Sequence, residues 1–276
     1  MRCGILGDLM KDPAGAWDVR LGHGSIVEHL PRFRKLGLGF MEVYAGGSLS
    51  EPGGGSYLEE FSRQAAGNGV VLYSVHAPFD KDISVADAEA RESALAGVRT
   101  AIEAAARAGA EFVVVHPGLT VTEEQKPARL DQSVESLTLL NGFCRASGVR
   151  MAVENMPSGV LGGGSAEFAG IMARLAPDAG VCLDTGHAFI TDHSPVKVLD
   201  AIHERLLTLH VHDNDGARDL HQVPGQGGIV WREFIDDLVA SGFNGVFMME
   251  LAHDRPTADI LAAGADFCRA NLPPDR

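Results

Sequence analysis

Short apolar runs alternate along the chain with longer stretches of helical character. Runs such as VVLYSVH and FVVVH are almost continuously apolar, which is typical of parallel strands covered on both faces. The segments between them are rich in Ala, Leu, Glu and Arg, and residues 86–108 are the clearest helix-forming stretch. The pattern predicts strands at residues 3–6, 40–44, 70–76, 112–116, Arg150–Glu154, Gly180–Asp184, 206–212 and 245–251.

This alternation predicts an α/β fold with a parallel sheet. Glycine follows several predicted helices, at positions 37, 69, 109, 148 and 242, as is typical of a helix C-terminus just before the next strand. Eight strand–helix units predict a closed (β/α)8 TIM barrel, and the alternative is an open, doubly wound sheet. Because the 276 residues contain no linker or break in composition, residues 1–276 are predicted to form a single barrel domain.

The composition excludes some classes of protein. With 45% hydrophobic and 22% charged residues, the chain is globular rather than disordered. The net charge of −14 means that nucleic acid or membrane binding would need a local basic patch. No apolar stretch is long enough for a membrane span, and the first is too short for a signal peptide. Scattered cysteines (Cys3, Cys144, Cys182 and Cys268) predict free buried thiols in the cytoplasm.

Polar side chains end six consecutive predicted strands. The carboxyl ends of barrel strands converge on one face, where barrel enzymes carry their chemistry. A lone histidine there is more often a core residue whose ring nitrogens are hydrogen-bonded. Six strands that all end in polar residues instead predict a functional site. Glu, Asp, His and Glu on strands five to eight are oxygen and imidazole ligands that suit Mn, Mg, Co or Zn. The strand-end residues are His76, His116, Glu154, Asp184, His210 and Glu250, and His187 follows Asp184 by one turn.

The loops contribute further candidates. Asp219 and His221, after the seventh strand, form either a second pair of metal ligands or a surface turn. His212 is expected to face away from His210 and to be the weaker ligand. Glu42, on the second strand, either lines the mouth or pairs with a basic group.

The remaining loop features carry weaker expectations. Residues 45–56 are Gly-rich but precede no GK[ST], so we expect either a flexible lid or a plain solvated loop rather than a phosphate-binding P-loop. The other histidines are expected on the surface or on helices, and they are His23, His29, His193, His203 and His253.

In this order, at strand ends, the motifs resemble the xylose isomerase-like superfamily of TIM barrels. That superfamily joins sugar isomerases and epimerases with the endonuclease IV family, or AP endonuclease family 2. The resemblance spans essentially the whole chain. The matching pieces are HAP at His76, HPG at His116, EN at Glu154, DTGH at 184–187, HVHDNDG from His210, DLH at 219–221, PGQG at 224–227, and Glu250.

The isomerase and epimerase branch implies one divalent ion held by Glu154, Asp184, His210 and Glu250, with His187 contacting substrate. A metal bound to a sugar carbonyl and hydroxyl acidifies the adjacent C–H by stabilising an enediolate. One glutamate then takes the proton. Returning it to the neighbouring carbon gives isomerisation, and protonation of the opposite face by the second glutamate gives epimerisation.

The endonuclease IV branch implies three zinc ions and cleavage of DNA beside an abasic site. Its ligand set also matches here in residue type, so the ligands do not separate the two branches. The matching residues are His76, His116, Glu154, Asp184, His187, His210, Asp219, His221 and Glu250.

The loops favour the sugar branch, because a DNA enzyme needs clustered Lys and Arg around the cut. Residues 7–20 hold three acids against two bases, and Lys126, Arg129 and Arg218 stand nearly alone. Arg218 is the one obvious cation near the seventh strand for binding substrate.

A non-catalytic metal-stabilised barrel is the third hypothesis, and the retained Glu154 and Glu250 argue against it. We therefore expect a sugar or polyol as partner, no nucleic acid or membrane, and leave a homo-oligomer open.

Overall fold

The computed structural model describes residues 1–12, 14–252 and 254–273. Eight of the strands in these residues match the predicted strands in order, with no boundary shifted by more than five residues. Two further strands follow the first. In chain order the strands are β1 (Arg2–Lys11), β2 (Trp17–Leu21), β3 (Gly24–Ser25), β4 (Leu38–Tyr44), β5 (Val71–His76), β6 (Phe112–Val115), β7 (Arg150–Glu154), β8 (Gly180–Asp184), β9 (Leu206–His210) and β10 (Val246–Met249).

Eight parallel strands form a barrel. Neighbours pair in the order β10, β1, β4, β5, β6, β7, β8 and β9. Val211, just beyond β9, forms a parallel bridge with Met249 of β10. The Val211 N–H donates to the Met248 carbonyl at 2.8 Å, and the Glu250 N–H donates to the Val211 carbonyl at 3.1 Å. The barrel therefore closes at this seam, which confirms the predicted (β/α)8 TIM barrel.

Helices follow the barrel strands. The α3 helix begins at Ala88 because the Asp87 carboxylate accepts the Ala90 N–H at 2.8 Å, and it ends before Gly109, whose φ of +77° suits glycine. Two helices rather than one follow β8. The described helices are α1 (Leu30–Leu36), α2 (Gly54–Gly67), α3 (Ala88–Ala108), α4 (Lys126–Ser147), α5 (Ser165–Ala173), α6 (Thr185–Asp192), α7 (Pro195–Ile202), α8 (Trp231–Ala240) and α9 (Thr257–Asn271).

The prediction of a loop directly after residue 6 is wrong. β1 continues to Lys11 and turns back as β2, which pairs with it antiparallel and is followed by β3. The strand continues past the polar Asp8 because Leu9 and its partner Val19 are both buried in the core. This hairpin borders the mouth of the barrel, where Leu9 and Met10 line a cavity.

Side chains alternate between the two faces of each barrel strand, and this alternation places the polar residues at the strand ends in the mouth of the barrel. Side chains two positions apart on a strand share a face. Val114, Ala152 and Cys182 form a small buried cluster on three adjacent strands, and the residues two positions further on are His116, Glu154 and Asp184. The apolar middle of the barrel thus ends in a polar layer.

All four cysteines lie within the described residues, are buried and form no disulfide, as the sequence predicted. None of the described helices has the length and apolar character needed to cross a membrane.

Candidate metal centre

A cavity of about 900 Å³ opens at the carboxyl ends of the barrel strands. Its floor is polar and most of its wall is apolar. Asp184 and His210 contact the floor from fully buried positions, so the ligand candidates chosen from the sequence meet in one region. The polar floor consists of His76, His116, Glu154, His187, Asp219, His221 and Glu250.

Four side chains from four neighbouring strands form the largest group of candidate metal ligands among the described residues. Glu154, Asp184, His210 and Glu250 each offer a donor atom, and these atoms lie within 4.8 Å of one another. His210 Nδ1 lies 3.1 Å from Glu154 Oε1 and 3.1 Å from Glu250 Oε2. Buried carboxylates this close repel one another unless a cation compensates them. The oxygen and imidazole donors fit a divalent metal ion.

Glu154 is the centre of the imidazole contacts. His76 Nε2 and His116 Nε2 lie 3.2 and 3.1 Å from its Oε2. Burial acts to raise the pKa of Glu154, but the adjacent His210 and His116 outweigh it and hold the pKa well below its usual range. Burial lowers the pKa of His116 despite Glu154, which favours the neutral imidazole that binds metals.

A second set of donors lies beside the first. Asp184, His187 and His212 form one group, and His212, Asp219 and His221 form another. Asp219 Oδ2 lies 3.3 Å from His187 Nε2 and 3.2 Å from His221 Nε2. His212 Nε2 lies 3.0 Å from Asp184 Oδ2. Asp219 and His221 therefore belong to the cluster instead of a remote surface turn.

The carboxylates of this set raise the pKa of His187 and of His221. Burial lowers the pKa of His187, but Asp184 and Asp219 outweigh it and raise the value to about 10. Burial likewise lowers the pKa of His221, and its contacts with Asp219 and Glu250 raise the value to about 9. The histidines in turn hold the pKa of Asp219 below its usual range against the effect of burial.

The structure identifies Asn155 as a positioning residue that sequence reasoning missed. Its Nδ2 donates to the Asp184 carbonyl at 3.0 Å, and its Oδ1 accepts the Asp184 N–H at 2.8 Å. The Asp184 carboxylate also caps α6 by accepting the His187 N–H at 2.6 Å. These bonds fix the backbone from which both Asp184 and His187 project. The signal was the EN pair that begins the loop after β7.

The expectation that His212 faces away from the site is wrong. Positions 210 and 212 lie two apart, so a regular strand directs both side chains to the same face. His212 is fully buried, and its ring stacks on that of His221 at 4.0 Å between centroids. Gly186 leaves the necessary room, because a Cβ at that position would lie 2.0 Å from the His212 ring.

Glu42 pairs with a basic group instead of lining the cavity. It is fully buried, its carboxylate accepts a hydrogen bond from His210 Nε2 at 2.7 Å, and Ser74 also donates to it. With Nε2 committed to Glu42, His210 Nδ1 is the atom directed at Glu154 and Glu250. Glu42 therefore orients a candidate ligand and lies away from the space open to substrate.

Arg218 lies outside the described wall of the cavity. It is exposed, and its guanidinium pairs with the Asp215 carboxylate, three residues earlier, at 2.6 Å. This local pair turns the side chain to solvent, so the geometry does not support the expected contact with substrate.

The remaining sequence predictions concern the Gly-rich segment and the other histidines. Residues Gly46–Ser50 form a short 3-10 helix whose Gly46, Gly47 and Ser48 line the cavity, so the Gly-rich segment borders the mouth. His23, His193 and His203 are exposed, and His29 is half-buried. His253 lies outside the described residues.

Asp213 organises the loop that carries Asp219 and His221. Its buried carboxylate accepts four hydrogen bonds, from the backbone N–H groups of residues 214, 225 and 229 and from Trp231 Nε1 at 2.7 Å. Gly227 allows this close approach, because a Cβ there would lie 2.4 Å from Asp213 Oδ1. The loop is thus folded around one buried charge.

Removal of this charge is expected to loosen the loop. Asp213→Ala leaves four donors unsatisfied in the interior, so the free energy of unfolding should fall by about 3 kcal/mol. Thermal denaturation measures the loss, and limited proteolysis locates it. Asp215→Ala, at an exposed position in the same loop, is the matched control and should leave the melting temperature unchanged. Equal melting temperatures for the two variants would contradict this role of Asp213.

Comparison with known proteins identifies the family. Residues 30–271 match the family described as xylose isomerase-like TIM barrel, and the chain belongs to it. Among curated relatives, the uncharacterized protein MJ1614 of Methanocaldococcus jannaschii is 30% identical over 180 residues, 65% of this chain and 70% of its own length.

Two relatives with named activities point to different branches. Endonuclease 4 of Thermus thermophilus is 30% identical over 172 residues, which cover 58% of this chain and 59% of that protein. Fructoselysine 3-epimerase of Escherichia coli O157:H7 is 27% identical over 124 residues, 44% of this chain and 38% of that protein. The chain thus spans less than two thirds of either relative.

Solved structures agree with the fold over nearly the full chain. A D-tagatose 3-epimerase-like protein superposes with a TM-score of 0.77 and 22% identity, over 97% of this chain and 96% of the other. The TTHB071 protein of Thermus thermophilus, from a crystal soaked with ZnCl2, gives a TM-score of 0.72 and 25% identity, over 98% and 97% of the two chains. The comparisons together support an enzyme of this superfamily.

Proposed function

We propose that the protein is a divalent-metal-dependent sugar isomerase or epimerase. The observation that carries this proposal is the pair of glutamates, Glu154 and Glu250, which reach the same cavity from different strands and flank His210 Nδ1 at 3.1 Å each. A divalent ion would be held by these two glutamates with Asp184 and His210. It would polarise a carbonyl and a hydroxyl of the bound sugar.

The protein's own groups then move the proton. Burial acts to raise the pKa of both glutamates, but histidine neighbours hold it below the usual range, so each carboxylate is ionised near pH 7, as a general base must be. Glu250 keeps 22% of its side chain exposed, whereas Glu154 keeps 2%. We therefore assign Glu250 as the group with freer access to substrate, and Glu154 as the second acid–base group. His187 faces the same cavity and orients the sugar.

An endonuclease IV-like phosphodiesterase with three zinc ions is the second candidate. The observation that favours it is the additional donor set of His187, His212, Asp219 and His221 beside the first group. The absence of Lys and Arg from the described lining of the cavity argues against it, because phosphates on both sides of a DNA cut need cations.

Solvent deuterium exchange tests the two candidates together. Protein loaded with Mn²⁺ is incubated in D₂O with D-fructose, D-tagatose and D-psicose, and proton NMR records loss of the C–H signal next to the carbonyl. We expect exchange with at least one ketose, and no cleavage of an abasic DNA duplex. Cleavage of the duplex by the zinc-loaded protein, without exchange on any sugar, would favour the endonuclease instead.

Metal loading is also expected to release protons. Because the pKa values of His187 and His221 are raised to about 10 and about 9, both rings carry protons at pH 8 in the metal-free protein. A divalent ion bound beside these rings repels their positive charge and favours the neutral imidazoles, so metal affinity should fall as the pH falls below about 9. Titration calorimetry in two buffers of different ionisation enthalpy counts the protons. His187→Gln should reduce the count, exposed His193→Gln should not, and equal heats in both buffers would contradict the prediction.

A further inference from the structure

The wall of the cavity is apolar, in contrast with its floor. At about 900 Å³ the cavity is near the upper end of the ~300–1,000 Å³ range in which proteins enclose drug-sized ligands, and a free hexose is much smaller than such a ligand. The donor groups occupy one end of this space. A sugar bound to them would leave the outer part of the cavity unfilled.

An aromatic wall leads from the donor cluster to the rim. His76, which contacts Glu154, packs edge-on against Tyr44 with ring centroids 5.5 Å apart. Tyr44 in turn stacks on Phe79 at 4.8 Å, with their planes 19° apart. Phe79 is 51% exposed and lines the cavity, so a large apolar ring faces the entrance. Burial raises the pKa of Tyr44 to about 12, which keeps this wall uncharged.

Aliphatic side chains form the other sides. Leu9 and Met10 come from the end of β1, in the hairpin that it forms with β2, and Met10 is 43% exposed at the rim. Leu119, Met156 and Val160 come from the loops after β6 and β7. Exposed apolar groups gathered at a cavity mouth indicate a surface whose burial by a bound ligand is favourable.

Cations are missing from this outer part. Among the described residues that line the cavity, none is Lys or Arg, and Asp8 adds a carboxylate. The nearby Lys11 is directed to Glu51 at 2.6 Å and to the face of Trp17 at 4.8 Å. A phosphate group in this outer part would therefore meet no Lys or Arg side chain among the described residues.

We propose that the substrate is a sugar bearing an uncharged apolar or aromatic substituent, which lies against the stack of Tyr44 and Phe79 while the carbonyl and hydroxyl oxygens of the sugar face the donor cluster. The inference rests on the proposed function, because it takes the donor cluster as the position of the reacting carbons. It excludes sugar phosphates as the preferred substrates.

Hydroxamic acids test this assignment without knowledge of the substrate, since the hydroxamate group chelates a metal through two oxygens. Calorimetry on the Mn²⁺-loaded protein compares acetohydroxamic, 4-phenylbutyrohydroxamic and phosphonoacetohydroxamic acids. We expect the phenyl compound to bind about 10–100-fold more tightly than the acetyl compound, as burial of an aromatic ring implies. The phosphonate should bind no more tightly than the acetyl compound. Equal affinities of the phenyl and acetyl compounds, or a preference for the phosphonate, would overturn the proposal.

Variants locate the effect. Phe79→Ala should reduce the ratio of the acetyl to the phenyl dissociation constant about tenfold, and the half-exposed position tolerates the change. Leu139→Ala, on α4, removes an equally exposed apolar side chain outside the cavity and should leave the ratio unchanged. An unchanged ratio in Phe79→Ala would overturn the assignment to this stack. If neither the acetyl nor the phenyl compound bound the metal-loaded protein, the proposed function would fail as well. Failure of the substituent proposal alone would instead show as binding of both compounds with equal affinity.

Discussion

Glu154→Ala is expected to abolish turnover and metal binding together, and to destabilise the fold. The Glu154 carboxylate is fully buried and lies within 3.2 Å of His76, His116 and His210. Its removal leaves buried imidazoles without their negative partner, which costs about 3–5 kcal/mol when a buried ion pair is broken.

Elemental analysis, denaturation and a turnover assay measure the three effects. Glu111→Ala is the control, since Glu111 is a half-exposed glutamate just before β6, where it approaches Arg150 at 4.0 Å. A Glu154→Ala protein with full metal content and full turnover would show that the assignment of this residue is wrong.

Glu250→Gln is expected to lower turnover by about 10²–10⁴-fold, the usual contribution of a positioned acid–base group. Glutamine keeps the shape of the side chain and a donor oxygen near His210, but it cannot take a proton. The fold should therefore persist while solvent deuterium exchange stops. The readouts are kcat, the exchange rate and the melting temperature.

The control for Glu250 is Glu51→Gln, the same substitution at an exposed position near the mouth, where Glu51 pairs with Lys11. It should leave kcat and the exchange rate unchanged. Turnover in Glu250→Gln within threefold of the parent would contradict a proton-transfer role for Glu250.

The convergence of the candidate ligands could be predicted from the sequence because a regular rule governs it. Parallel strands bring their carboxyl ends to one face of a barrel. His116, Glu154 and Asp184 could therefore be assigned to one site from their positions at strand ends. The same alternation, applied correctly, would have included His212.

The errors arose where local contacts compete with this rule. Arg218 was expected in the cavity, but a neighbouring carboxylate three residues earlier pairs with it at the surface. The hairpin after β1 was missed because Asp8 interrupts the apolar run, although burial of Leu9 against the core continues the strand. The role of Asp213 depends on groups brought together by the folded loop, and no spacing in the sequence reveals such a contact.

Anomalous diffraction from a crystal soaked in Mn²⁺, with data collected at the manganese edge, tests most directly whether a metal ion binds at this site. We expect a peak bounded by the carboxylates of Glu154, Asp184 and Glu250 and by His210 Nδ1. Diffraction that showed these side chains ordered, with no anomalous peak among them, would contradict a metal-dependent isomerase or epimerase.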